Sequence, residues 1–172
     1  MCGLLVGACG SPSSSSKSSV TPTPTPKAKT ISNVDACKLV TADNASTATG
    51  VTVSNLGAGA PGTGACIYGS ADGTTTVFVI AEAYADASSA NAVKPEQLAA
   101  ALNGAYGIAN AKAVSGIGDQ AVEYTVTSAA SGSTGAVIFV FKSNVVLMIA
   151  ISPLTDTKKL EDLARTAVGN LH

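Results

Sequence analysis

Bond-making chemistry in this chain would have to rest on carboxylates. The one histidine is His172, the final residue of the sequence. No internal histidine can therefore pair with a serine or cysteine nucleophile, or anchor a histidine-based metal centre. Glu82, Asp119 and Glu123 are the acidic candidates. Glycoside hydrolysis needs two such groups facing across a cleft at a set separation, and with tryptophan absent no aromatic sugar platform is evident. Each candidate also has a plainer reading. Glu82 fits the end of a strand reaching solvent. Glu123 fits the outward face of a strand. Asp119, in Gly116-Ile117-Gly118-Asp119-Gln120-Ala121, fits a turn whose backbone N–H groups its side chain accepts. Two further motifs are accidents of composition. Ser14-x-x-Lys17 matches an acylation motif but lies in a polyserine run. Gly57 to Gly62 has the glycine spacing of a dinucleotide loop, which needs a helix after it; Pro61 interrupts it and a strand-like segment follows. We expect no catalytic residues, no metal site and no cofactor.

The cysteines carry more information. Val6-Gly7-Ala8-Cys9 resembles a bacterial lipobox, with small residues before a thiol that is acylated. The apolar run before it is short and carries no Lys or Arg, so the expected leader at residues 1–9 is truncated at its start. Residues 10–30 are Ser-, Thr- and Pro-rich and cannot bury enough apolar surface to offset their ordering entropy. They read as a tether, with the Thr-Pro repeats leaning to extended polyproline II. With Cys2 in the expected cleaved leader and Cys9 lipidated, Cys37 and Cys66 remain as an even pair. Either they form a disulfide in an oxidising compartment, or they are two buried thiols acting as small apolar fillers.

The elements that must position these residues lie in 31–172, read as a single domain. Ala136 to Ser152 holds two β-branched and aromatic runs around Lys142-Ser143-Asn144, the pattern of a β-hairpin. Val137, Phe139 and Phe141 oppose Ala136, Ile138 and Val140. Val145, Leu147, Ile149 and Ile151 oppose Val146, Met148 and Ala150. All four faces are apolar, as in central strands. Asp72-Gly73 marks a second hairpin, and Val51–Ser54 a short strand. Asn33 or Asp35 should cap a helical turn at Cys37, and Thr41 a helix ending at Gly50. Pro95 should open a helix whose stripe is Leu98, Ala101, Leu102, Ala105 and Tyr106, closed by Gly107. Gly116, Gly118 and Asp119 should build a turn into a strand with Val122, Tyr124 and Val126 inward and Glu123 outward. Thr155 or Asp156 should cap a last helix with Leu160, Leu163, Ala164, Ala167, Val168 and Leu171 on one face. No segment reads as a bilayer span, since Lys142 splits a hairpin that is already too short.

Charged residues are 12% and the formal net charge is −1, which argues against a nucleic-acid partner, since that would need a basic face. Asp35-Ala36-Cys37-Lys38-Leu39-Val40, Gly64-Ala65-Cys66-Ile67-Tyr68 and the Gly116–Ala121 turn together resemble small uncharacterised cell-envelope lipoproteins of the actinobacterial type. That resemblance implies an α+β domain with an antiparallel sheet, by analogy a PsbP/Mog1-like fold, and transfers no catalytic residue. The expected fold is therefore α+β, with about six antiparallel strands and helices packed on them. The expected function is a non-catalytic extracytoplasmic domain, anchored to the membrane through lipid, that binds a partner protein or an apolar ligand. The alternatives are a carboxylate-dependent envelope hydrolase and a structural cell-wall spacer.

Overall fold

The computed structural model describes residues 30–58, 64–154 and 156–172. Cys9, the expected leader and all but the last residue of the tether lie outside these residues, as do the Ser14–Lys17 motif and the Gly62 end of the glycine-spaced loop. The fold is α+β, a seven-stranded antiparallel sheet with helices packed against it.

Short capped helices come first. Asp35 caps α1 (Ala36–Leu39) by accepting from the Cys37 N–H. Thr41 and Asn44 form a reciprocal capping box at α2 (Ala42–Thr49), and Gly50 ends it in the left-handed conformation. Strands β1 (Val53–Ala58), β2 (Ala65–Ser70) and β3 (Thr76–Ala83) form a meander. Helices α3 (Ala87–Ala92) and α4 (Pro95–Leu102) follow, then β4 (Tyr106–Ala113), β5 (Gln120–Ser128), β6 (Thr134–Lys142), β7 (Val145–Ser152) and α5 (Thr157–Gly169), which Asp156 caps. The strand order is β1-β2-β3-β7-β6-β5-β4. The apolar hairpin β6–β7 thus lies at the centre, where both faces find cover.

The two faces build two cores. Ile138, Val140, Leu147, Ile149 and Ile151 pack with Leu160, Leu163, Ala164 and Ala167 of α5 and with α1 and α2. Val137, Phe139 and Phe141 on the opposite face pack with Ala90 of α3 and Ala99 of α4. Asn170 at the end of α5 donates to the Leu39 carbonyl at 2.9 Å and ties the last helix to the first. None of the described helices is long and apolar enough to cross a membrane.

Three local expectations are corrected. The first strand runs Val53–Ala58, not Val51–Ser54, and extends into the glycine stretch through a bulge between Asn55 and Gly57. The helix from Pro95 stops at Leu102, and Tyr106 opens a strand instead of closing a stripe. The helical spacing of Ala105 and Tyr106 is a coincidence across the Asn103-Gly104 turn, and Ala101 is exposed. An Ala- and Asn-containing edge strand such as β4 has little β-propensity to announce it, so a sheet expected at about six strands has seven. Glu123 faces inward, because α5 covers the sheet face on which it lies.

Candidate functional site

The three acidic candidates do not converge. Glu82 is exposed at the end of β3 and accepts from the Tyr84 hydroxyl at 3.0 Å. Asp119 accepts from Lys142 Nζ at 2.8 Å and from the Ser143 N–H at 2.7 Å. These donors hold its carboxyl below the usual carboxylate range, Lys142 first and the Ser143 backbone second. Its partners therefore belong to the β6–β7 turn, not to its own loop as the sequence suggested. Glu123 lies four residues further along the chain, about 13 Å away on an extended strand. It is 5% exposed beneath the start of α5, and loss of water pushes its pKa up. His172 is exposed.

The glycines of the turn have unequal duties. Gly116 (φ 76°) has open space where a Cβ would sit, whereas at Gly118 (φ 61°) a Cβ would lie 2.6 Å from the Phe141 carbonyl oxygen. That oxygen also accepts from the Asp119 N–H at 2.7 Å, so it cannot retreat. Between the two glycines Ile117 is driven into the core at 2% exposure. Gly118→Ala is expected to lower stability by about 2–4 kcal/mol, against about 1–2 kcal/mol for Gly116→Ala, where only the left-handed backbone opposes the change. Urea denaturation of the two variants checks the order.

Cys37 and Cys66 are joined by a disulfide linking α1 to β2. Cys66 is fully buried. Asn55 Nδ2 lies 3.5 Å from its sulfur, and the Tyr68 hydroxyl lies 3.2 Å from the same atom while donating to the Val40 carbonyl. The two-free-thiol reading is thus set aside. Disulfides persist in oxidising compartments.

The strand register builds the remaining candidate. Two transverse rows cross the face that carries α3 and α4. One runs Ile67, Phe78, Ala150, Val137 and Tyr124; the next runs Ala65, Ile80, Met148, Phe139 and Val122. Where the rows cross β6, Val137 and Phe139 are fully covered. On β2 and β3 the same rows are only half-buried, and Ile67, Phe78 and Ile80 belong to neither core. Leu56 lies against Gly69 and extends the surface onto β1 at 65% exposure. The result is an apolar shelf over β1–β3, beside the part of the sheet that α3 and α4 cover. The double apolar alternation of β3, Phe78 and Ile80 against Val77, Val79 and Ala81, was the signal available in the sequence. Which of its faces the helices would leave bare was not.

Fold and site together define an α+β domain with a Cys37–Cys66 disulfide and a sheet that the described helices cover on one face and in part on the other. A scan of family models matches nothing, and a search of curated proteins matches nothing. Among solved structures the chain is similar to the extracellular domain of PknH from Mycobacterium tuberculosis, at 17% identity and a TM-score of 0.45. The overlap covers 64% of this chain and 66% of that one, just under two thirds of its length.

Proposed function

We propose that this chain is a non-catalytic extracytoplasmic domain, held at the membrane through lipid on Cys9, that binds a protein partner on the β1–β3 shelf. The observation that carries the reading is the set of exposed Leu56 and half-buried Ile67, Phe78 and Ile80, contiguous across three strands and with none of the described helices over it. Contiguous exposed apolar surface marks interaction sites. A flat sheet face suits another protein better than a small molecule, which favours concave sites. The disulfide supports export to an oxidising compartment. The separation of Asp119 from Glu123 speaks against the hydrolase alternative, which needs both carboxyls in one cleft.

The test is site-specific photocrosslinking in the native envelope, with the probe at Leu56 or Phe78 and a control probe at Lys158 on the exposed side of α5. A discrete protein adduct is expected from the shelf positions alone. It should be competed by purified domain and abolished by Ile80→Asp in a variant that keeps its thermal transition. Lipid adducts from the same positions would favour the apolar-ligand reading, and equal adducts from Lys158 would reject the shelf.

A further inference from the structure

Glu123 is a buried titratable group that the binding reading does not use. On β5 it pairs laterally with Lys112 of β4 and Ile138 of β6. It is 5% exposed, and its Oε2 has no hydrogen-bond partner. Thr157 and Glu161, one turn apart on α5, face it from above, while Ile138 brings no charge. Lys112 Nζ donates to Glu161 Oε1 at 2.9 Å. Arg165 approaches the other Glu161 oxygen at 3.4 Å and bonds Asp162 at 2.7 Å on the outer side of the helix. Lys112 is thus within the field of two carboxyls carried by different elements, one on the sheet and one on α5, and in this arrangement Glu161 holds it. The Glu161 side chain is only 15% exposed, whereas Lys112 reaches it from the sheet edge with its own side chain 56% exposed, so the contact joins a covered helix carboxylate to a solvated lysine across the α5–β4 boundary.

We propose that Glu123 is a pH-operated latch for α5. Carrying its proton, it leaves Lys112 to tie the helix to the sheet edge through Glu161. Giving that proton to solvent, it becomes a second anion beside Glu161, draws Lys112 to itself and loosens the first turns of α5.

The signs agree with the geometry. Burial raises the pKa of Glu123 and the Glu161 charge adds to the rise, while Lys112 and Thr157 oppose it. A carboxyl raised in the folded state stabilises the fold below the ordinary carboxylate range, and that contribution is lost as pH rises through the raised pKa. Glu161, held low chiefly by Lys112, and Asp119, held low chiefly by Lys142, act oppositely: their contributions are lost as pH falls. Only a comparison with Glu123→Gln isolates the latch.

The experiment is amide hydrogen exchange of Leu160–Ala164 in the full chain, corrected for intrinsic rates, alongside a carboxyl NMR titration of Glu123. Wild-type protection should fall as pH passes through the Glu123 transition, roughly tenfold for each unit by which its pKa is raised. Glu123→Gln should keep the low-pH protection throughout. Lys112→Met, which removes the shared cation, should show the loosened helix even at low pH. Glu123 titrating in the ordinary range, Glu123→Gln following the wild-type pH profile, or Lys112→Met retaining full low-pH protection would each overturn the latch.

Discussion

Asn144→Ala is expected to lower stability by about 3 kcal/mol, although it deletes only a small polar side chain in a two-residue turn. Asn144 is 2% exposed. Its Oδ1 accepts from the Ile31 N–H at 2.9 Å, and its Nδ2 donates to the carbonyls of Ile31 at 2.8 Å and Tyr84 at 2.7 Å. Its own carbonyl accepts from the Tyr84 N–H at 2.7 Å. One side chain therefore joins the entry of the domain, the end of β3 and the central hairpin. Alanine leaves three part-buried backbone groups without that partner, and an unmade bond costs more than a made one contributes. A thermal melt should show a drop of about 10 °C, at roughly 3–4 °C per kcal/mol for a domain of this size. Asn144→Asp separates hydrogen bonding from shape. It keeps the Oδ1 acceptor but places charge against two carbonyls, so it should be at least as damaging at neutral pH and recover part of the loss in acid. Equal stability of wild type and both variants would remove the clip from the account of this fold.

Replacing both Cys37 and Cys66 with alanine should cost about 3–4 kcal/mol. In the chain-entropy model the cross-link restrains a loop of 29 residues in the unfolded chain. The bond also lies where α1 meets the sheet, and the Tyr68 hydroxyl that borders it holds the Val40 carbonyl at the end of that helix. Loss of the link should therefore loosen α1 before the central strands. Denaturation with and without a reductant measures this directly: reduced wild type should fall to the level of the double variant, and the double variant should not respond to reductant. A wild-type midpoint unchanged by full reduction would show that α1 docks without its cross-link.

Much of the scaffold was legible because its signals are local. Thr41 and Gly50 bracket α2 by side-chain and backbone chemistry within one turn of each end. The apolar alternation of Val137–Phe141 and Val145–Ile151 declared two strands needing cover on both sides, and each half of it entered the core it implied. Edges carried weaker signals. β4 pairs on one side only and holds Ile108, Asn110 and Lys112 around a bulge, where neither alternation nor propensity marks a strand. α3 is six residues of Ala, Ser and Asn, and it covers the second face with the small residue Ala90.

The candidate sites divide in the same way. The sequence by itself determined an α+β domain with a central hairpin, short capped helices and an amphipathic last helix. These follow from periodicity, capping and composition, which act over a few residues. Only the tertiary structure decided that Cys37 meets Cys66, that Asp119 reaches the β6–β7 turn, that Glu123 lies under α5 and that Asn144 clips three segments. It also decided that Phe78 and Ile80 stay half-open while Val137 and Phe139, in the same rows, are closed. Strand alternation tells which residues share a face, but cover arrives from elements distant in the chain. Burial, and with it pKa and binding capacity, is a property of that meeting.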